Sequence, residues 1–245
     1  MDPKGKTALI TGGARIGQAV AEALAVRGAD VAVTYRASRK TADETVRTAK
    51  KLGVRGLAVT ADLRAEADIR NAVETVAEEF GRLDILVNMA SIYEKTPLKT
   101  LDSKSWRENI DANLTSVYFL SLKAAPLMKR QGQGRIINFS DWVSASGRPR
   151  YKGYIPYYAS KAGVIGLTEA LALELAPEIL VNTIAPGPIL APPGLSAEED
   201  REVRRATPLG RWGGPEEIAK AVLFLIETDF VTGECIRVDG GRHLF

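Results

Sequence analysis

Short runs of β-branched and apolar residues alternate along the chain with longer segments of helical periodicity. Seven runs have the length and composition of buried strands: Thr7–Ile10, Asp30–Tyr35, Arg55–Thr60, Leu83–Asn88, Arg135–Phe139, Leu180–Ala185 and Glu234–Val238. Six segments have the periodicity of helices: Ile16–Arg27, Arg39–Leu52, Glu66–Phe80, Ser103–Arg130, Ile155–Leu175 and Pro215–Ile226. This strand–helix alternation predicts an α/β fold, a doubly wound seven-stranded parallel sheet with helices on both faces.

One segment interrupts this alternation. Four prolines and two glycines between Pro186 and Leu195 are incompatible with a regular helix or strand. The segment follows the carboxyl end of a predicted strand, where sheets of this kind bind their ligands. It therefore predicts a substrate lid over about residues 187–212, with a stiff connector as the alternative.

Composition narrows the range of functions. Of 245 residues, 45% are hydrophobic and 26% are charged, which is ordinary for one globular domain. The net charge of +3 is too small to indicate binding to nucleic acid or to a membrane. A single cysteine, Cys235, and a single histidine, His243, argue against disulfides and metal sites. Without a transmembrane run or a signal-peptide core, we expect a soluble, cytoplasmic protein with a small-molecule substrate.

A tyrosine and a lysine lie one helical turn apart near the start of the fifth predicted helix. At this spacing Tyr157 and Lys161 project from the same face of the helix. An ammonium beside a phenol favours the phenolate, so we expect the pKa of Tyr157 to lie below its usual value of about 10. Tyr157 would then donate and accept protons near neutral pH. Such pairs also arise by chance, so a second motif is needed to support the interpretation.

That second motif is a glycine-rich turn between the first predicted strand and the first predicted helix. It reads Thr11-Gly12-Gly13-Ala14-Arg15-Ile16-Gly17. Glycines let the backbone approach a pyrophosphate, and the start of the helix offers free N–H groups. A tight turn without a ligand is the alternative. The turn predicts a dinucleotide site at Gly12, Ile16 and Gly17.

The end of the second predicted strand indicates which dinucleotide binds. It reads Tyr35-Arg36 and is followed by Ser38, and it lacks the acidic residue that a free ribose 2′-hydroxyl requires. Arg36 can instead bind a 2′-phosphate with help from Ser38. The sequence therefore favours NADP(H) over NAD(H).

Together these motifs resemble the short-chain dehydrogenase/reductase family over essentially the whole chain. The resemblance implies one Rossmann-type domain spanning residues 1–245 and a homotetramer whose last strand and C-terminal tail pack against a neighbour. It implies that Lys161 holds the nicotinamide ribose and that Asn113 fixes a water linking Lys161 to solvent. The remaining cofactor contacts that it implies fall on Asp62, Leu63, Asn88, Ala90, Ser91, Pro186, Gly187 and Ile189.

The chain departs from the family pattern in three places. The glycine-rich turn is one residue short, and Ala191 stands where a threonine is usual. Most members carry a serine at the end of the fifth strand, where counting along the strand places Asp141 here. Counting back from Tyr157 by the family spacing gives Ser144 instead, because the segment 146–154 is longer than usual. We prefer Asp141, since a loop absorbs insertions and a buried strand cannot shift register.

An aspartate at this position resembles the pteridine reductases. Two further residues match theirs: Tyr93, which would stack on a pterin, and Arg15, which would contact the cofactor phosphate and the substrate. The favoured interpretation is hydride transfer from NADPH to a C=N or C=O group of a pteridine, with Tyr157 giving the proton and Asp141 orienting the substrate. The alternative is a reductase of 3-oxoacyl thioesters or other carbonyl compounds. A non-catalytic cofactor sensor or scaffold is a third possibility.

Overall fold

Seven parallel strands form the centre of the computed structural model, which describes residues 1–244. In chain order they are β1 Thr7–Thr11, β2 Asp30–Tyr35, β3 Gly56–Thr60, β4 Ile85–Asn88, β5 Gly134–Phe139, β6 Ile179–Pro186 and β7 Cys235–Val238. Their spatial order is β3-β2-β1-β4-β5-β6-β7. Strands β2 and β3 lie on one side of β1 and strands β4 to β7 on the other, so the strand order switches between β1 and β4. Ligands bind at such a switch point in open α/β sheets. The predicted fold class is confirmed, and the strand ends move by at most two residues.

Helices cover both faces of the sheet. They are α1 Ile16–Val26, α2 Arg39–Lys51, α3 Glu66–Phe80, α4 Ser103–Ile110, α5 Ser116–Arg130, α6 Trp142–Ala145, α7 Ile155–Leu175, α8 Ala197–Arg205 and α9 Pro215–Glu227. Alternation along β1 sends Ala8 and Ile10 into a core cluster with α1 and α9, and Leu9 into a second cluster with α3 and α5. The two clusters fix the sheet between its helical layers and leave its carboxyl edge open.

The helix predicted over Ser103–Arg130 is wrong in one respect, because it is interrupted. A π-helical segment, Asp111–Thr115, separates α4 from α5. A π turn inserts one residue into the helical repeat, which barely changes the apolar periodicity and so leaves no clear sequence signal. The interruption contains Asn113, one of the predicted site residues.

Two short helices were missing from the sequence prediction. Helix α6 is a single turn, too short to show periodicity, and it begins where the Asp141 carboxylate accepts a hydrogen bond from the Val143 amide at 2.8 Å. Helix α8 lies within the predicted lid and has no buried residue, so it lacks an apolar stripe. Its capping box, Ser196 with Glu199, was the available signal. The predicted lid is therefore irregular up to Ser196 and then helical.

Three further features bear on function. None of the described helices is both long and apolar enough to span a bilayer. Among residues 1–244, no three His, Cys, Asp or Glu side chains come together as a metal site would require. Burial raises the pKa of the Cys235 thiol to about 11, so this side chain is protonated at neutral pH.

Candidate active site

A cleft of about 1220 Å³ runs along the carboxyl edge of the sheet. The turn after β1 and the end of β2 line one end, which we call the nucleotide end. The segments after β4, β5 and β6 and the start of α7 line the other, which we call the substrate end. The cleft brings together these predicted site residues: Gly12, Arg15, Ile16, Gly17, Tyr35, Arg36, Ser38, Ala90, Ser91, Tyr93, Asp141, Tyr157, Lys161, Pro186, Gly187 and Ile189.

Asp62 and Leu63 lie outside this lining. The Asp62 carboxylate is held by the Arg64 guanidinium at 2.5 Å, and this hydrogen-bonded pair lowers the pKa of Asp62 to about 2. The Leu63 side chain packs against the second core cluster. The predicted contacts of both residues with the cofactor remain predictions, and Asp62 would have to share its carboxylate with Arg64.

Asn88 and Asn113 are buried next to the cleft. Asn88 donates to the Asn138 side-chain oxygen at 2.9 Å, while its own side-chain oxygen is buried without a partner among the described residues. Asn113 accepts from the Ile92 amide at 2.7 Å and donates to the Ile92 carbonyl at 3.0 Å. These bonds tie the π-helical segment to the loop after β4, so Asn113 fixes the backbone next to Tyr93.

The glycine-rich turn is closely packed. A Cβ on Gly17 would collide with the Gly12 carbonyl oxygen, and a Cβ on Gly13 would lie 2.8 Å from the Val33 side chain. Arg15 closes the shortened turn with φ of +54°, a backbone conformation that residues other than glycine seldom adopt. At the start of α1 the Gly17 N–H donates to the Ala14 carbonyl at 3.0 Å, while the Ile16 N–H has no acceptor among the described residues and lies along the cleft. This geometry suits a pyrophosphate.

The end of β2 offers a second place for an anion. Arg36 is exposed along the cleft, and Ser38 begins α2 without using its hydroxyl as a cap. The first turn of α2 contains no acidic residue, so the positive end of its dipole is uncompensated. A guanidinium, a hydroxyl and a helix N-terminus match the chemistry of a phosphate monoester.

Tyr157, Lys161 and Asp141 meet at the substrate end. Helix α7 places Tyr157 and Lys161 one turn apart, and both line the cleft, as predicted from their spacing. The Tyr157 hydroxyl donates to the Asp141 carboxylate at 3.0 Å. The Lys161 ammonium donates to the Phe139 carbonyl at 2.8 Å and lies 5.9 Å from the centre of the Tyr157 ring. The phenol is therefore bonded to a carboxylate, with the ammonium at a greater distance.

This arrangement reverses the direction expected for the pKa of Tyr157. Burial, followed by the negative charge of Asp141, raises the pKa of Tyr157 well above its usual value, so the predicted lowering is wrong. Burial also raises the pKa of Asp141 and lowers the pKa of Lys161 to about 8. The sequence could not give this result, because burial of all three groups is a tertiary property.

Two serines compete with Asp141 for the position at the end of β5. Ser140 uses its hydroxyl to donate to the Lys161 carbonyl at 2.7 Å. Ser144 lies in α6 and donates to the Tyr158 carbonyl at 3.3 Å. Only Asp141 of the three contacts the Tyr157 hydroxyl. The count along the strand therefore predicts the right neighbour.

An aromatic wall formed by Tyr93, Tyr151 and Tyr154 borders Tyr157. The Tyr93 ring stacks on Tyr154 with centroids 4.7 Å apart and meets Tyr157 edge-on at 4.7 Å. Burial raises the pKa of Tyr93. Tyr93 was predicted to stack on a substrate, but one of its faces is already covered by Tyr154. Tyr154 and Tyr151 had no predicted role in the site.

A second group that the sequence analysis missed surrounds Trp142. The Arg150 and Arg242 guanidiniums lie 5.3 and 5.7 Å from the centre of its ring, and all three residues line the cleft. Arg242 belongs to the C-terminal tail, which His243 anchors through a 2.7 Å contact with Asp239. The extra length of segment 146–154 was the available sequence signal for Arg150.

Comparisons with known proteins agree with this site. A family model described as enoyl-(acyl carrier protein) reductase matches residues 13–243. The 3-oxoacyl-[acyl-carrier-protein] reductase FabG of Staphylococcus aureus strain Mu50 is 39% identical over 245 residues, 98% of this chain and 98% of that protein. The corresponding reductase of Synechocystis is 38% identical over 248 residues, 98% of each chain.

Solved structures show the same relationship. A short-chain dehydrogenase of Burkholderia cenocepacia in complex with NADP is 36% identical, with a TM-score of 0.91 over 99% of each chain. A short-chain dehydrogenase/reductase of Serratia marcescens is 33% identical, with a TM-score of 0.92 over 99% of this chain and 100% of that one. With the cleft and its Tyr157–Lys161 pair, these matches establish that the chain belongs to the short-chain dehydrogenase/reductase family.

Proposed function

We propose that this oxidoreductase uses NADPH to reduce the ketone of a 3-oxoacyl thioester. The observation that carries the proposal is the meeting of Tyr157, Asp141 and Lys161 on one wall of a cleft whose other end suits phosphates. The names of the relatives from Staphylococcus and Synechocystis support the thioester, and the NADP bound to the Burkholderia protein supports the cofactor. The pteridine favoured by the sequence analysis is thereby the second candidate.

The residues of the nucleotide end fit NADPH. The backbone N–H group of Ile16 would bind the pyrophosphate, with Gly12, Arg15 and Gly17 beside it, and Arg36 and Ser38 would bind the 2′-phosphate. The ribose and nicotinamide would lie against Lys161 and the residues at the end of β4 and after β6, namely Ala90, Ser91, Pro186, Gly187 and Ile189. When bound, NADPH supplies the hydride.

Tyr157 would give the proton to the substrate oxygen, and Asp141 would control the charge beside it. An ionised carboxylate would repel a developing alkoxide, whereas a protonated one donates a hydrogen bond. The raised pKa of Asp141, caused by burial, preserves the protonated form to higher pH than in a free side chain. Lys161, with a pKa lowered to about 8, would return a proton to Tyr157 after Tyr157 has given its own to the substrate.

Pteridine reduction remains a second candidate because of one observation. A carboxylate held 3.0 Å from the Tyr157 hydroxyl can accept N–H groups of a heterocycle, and the aromatic wall borders the same space. Asp141 would then act in its ionised form, the opposite of its role with a ketone. The two candidates therefore predict opposite consequences of replacing it.

The test compares purified wild-type protein and Asp141→Ser by NADPH consumption with acetoacetyl thioesters and with dihydropteridines. We expect the wild type to reduce the thioester with a kcat/KM that falls as pH rises through the raised pKa of Asp141. We expect Asp141→Ser to retain the thioester activity and to lose that dependence on pH. Reduction of pteridines alone, abolished in Asp141→Ser, would replace the first candidate with the second. No NADPH consumption with either class would contradict both.

We also propose the expected homotetramer and the lid. Strand β7 lies at the edge of the sheet, and Phe224 in α9 and Phe230 between α9 and β7 are exposed apolar side chains, which supports contact with a second copy on this side. The lid lines the cleft through Ile189, Leu195 and Val203. Sedimentation equilibrium tests the first proposal, and a change in proteolysis of residues 187–212 on adding NADP⁺ tests the second.

A further inference from the structure

We propose that Arg150 and Arg242, held against Trp142, bind an anionic group of the substrate at the outer part of the substrate end. This inference rests on the proposed function and specifies its substrate class: an oxo compound that carries a phosphate or a carboxylate away from the reacting carbon. Trp142 and both arginines line the same cleft as Asp141 and Tyr157. The proposed binding of NADPH does not involve Arg150 or Arg242.

The geometry gathers two positive charges around one apolar ring. Both guanidiniums lie within cation–π distance of the buried Trp142 indole, at 5.3 and 5.7 Å from its centre. They come from distant parts of the chain, Arg150 from the segment before α7 and Arg242 from the turn after β7. Helix α6 packs on that turn, so the fold itself brings both arginines to the indole. An anion close to either guanidinium gains a favourable charge interaction at this ring.

The second observation is that few acidic side chains line the cleft near the two arginines. Its acidic lining residues are Asp141, which is bonded to Tyr157, and Glu199, whose carboxylate accepts from the Ser196 amide at 2.9 Å and hydroxyl at 2.7 Å. Among residues 1–244, neither Arg150 nor Arg242 forms an ion pair with a side-chain carboxylate. The substrate end is therefore electropositive where a substrate enters.

Arg242 also links this group to the lid. One guanidinium nitrogen donates to the Val203 carbonyl in α8 at 3.4 Å, and Val203 lines the cleft. The bond holds the guanidinium between the tail and α8, which limits the rotamer freedom it would lose on binding an anion. Planar guanidiniums bind phosphate and carboxylate oxygens through paired hydrogen bonds. Arg242 and Arg150 are therefore suited to hold either group.

The experiment compares substrates in matched pairs that differ only in charge. The phosphate arm uses acetoacetyl-4′-phosphopantetheine against acetoacetyl-pantetheine. The carboxylate arm uses a 3-oxo ester with a terminal carboxylate against the same compound with that carboxylate esterified. KM is measured for the wild type, Arg150→Gln, Arg242→Gln and, as a matched control from the same segment, Arg148→Gln.

We expect the wild type to prefer the charged member of at least one pair, and each arginine variant to reduce that preference by about tenfold or more. The control variant keeps the preference of the wild type. A preference in the phosphate arm alone assigns a carrier-linked substrate, and one in the carboxylate arm alone assigns a dicarboxylic one. An unchanged ratio of KM values in both arginine variants would overturn the proposal.

A binding measurement separates this proposal from the proposed function. Calorimetry on protein saturated with NADP⁺ compares 4′-phosphopantetheine with pantetheine, and terminal dicarboxylates with their monoesters, without any turnover. Charge-dependent binding that is lost in Arg150→Gln and Arg242→Gln supports the anion site even if no ketone is reduced. Binding that ignores the charge of the probe contradicts the anion site, whatever the outcome of the activity assay.

Discussion

The two ends of the cleft use different materials. The nucleotide end consists of backbone groups in a tight turn and of exposed arginines, and the hydroxyls of Thr34 and Thr45 each make one hydrogen bond of 3.4 Å to that turn. Beneath the substrate end, Asn88, Asn138, Thr168 and Thr183 form a buried chain of hydrogen bonds between 2.6 and 2.9 Å. Binding a dinucleotide depends on backbone shape, whereas proton transfer depends on single side-chain atoms held in fixed places. The two ends should therefore respond differently to substitution.

Tyr157→Phe is expected to have the largest effect, because it should lower turnover and leave the binding of NADPH unchanged. Loss of the hydroxyl removes the proposed proton donor, so we expect kcat to fall by about 10²–10⁴-fold. The Kd for NADPH should remain close to that of the wild type, since the hydroxyl bonds to Asp141 at the substrate end. Stopped-flow turnover and fluorescence titration measure the two quantities. Tyr118→Phe, on exposed α5, is the matched control, and near-normal turnover in Tyr157→Phe would refute the assignment.

The second prediction concerns the cost of a buried ammonium. Burial lowers the pKa of Lys161 from 10.5 to about 8, so folding is penalised below pH 8 and the penalty is gone above 10.5. We expect Lys161→Met to lose turnover and yet to raise the free energy of unfolding at pH 7 by up to about 3 kcal/mol. That gain should shrink as pH rises from 8 towards 10.5, because the wild type then becomes neutral.

Urea denaturation at pH 7 and pH 10 measures this difference. Lys220→Met provides the control, because that ammonium is exposed on α9 and should shift stability little at either pH. A Lys161→Met protein less stable than the wild type at pH 7 would show that the bond to the Phe139 carbonyl outweighs the cost of burial.

A smaller effect is expected at the nucleotide end from Arg36→Gln. Removing one guanidinium from a phosphate contact should lower the affinity for NADPH by about 10–100-fold and change the affinity for NADH little. Lys40→Gln, also exposed near the start of α2, should leave the preference intact. Isothermal titration with both dinucleotides gives the answer. Equal losses of affinity for NADPH and NADH would show that Arg36 does not bind the 2′-phosphate.

The smallest expected effect comes from Arg15→Gly, which tests the backbone of the nucleotide end. Arg15 has φ of +54°, and a glycine there should raise the free energy of unfolding by about 1 kcal/mol or more. The variant should at the same time bind NADPH more weakly, since Arg15 lines the cleft beside the turn. Thermal melting with and without NADPH measures both effects. Lower stability without NADPH would mean that the side chain contributes more than the strain costs.

Sequence reasoning succeeded where a local pattern repeats and failed where an element is short or exposed. Six helices and seven strands were predicted within two residues, except that the Ser103–Arg130 helix hides a π-helical break. Helix α6 was too short for periodicity, and α8 has no buried face to produce an apolar stripe. The same limit applies to the site: motifs identified Tyr157, Lys161 and Gly12, while Arg150 and Arg242 belong to no motif.

The sequence by itself determined the sheet and supplied the candidate residues of the cleft, Asp141 among them. Apolar periodicity is local, and counting along the predicted fifth strand places Asp141 just beyond its end, two residues after Phe139. The tertiary structure alone decided that the Tyr157 hydroxyl bonds to Asp141 and that its pKa rises. It also brought Arg150 and Arg242 to one indole. Burial and contacts between distant segments govern both outcomes, and neither is encoded in any single stretch of the chain.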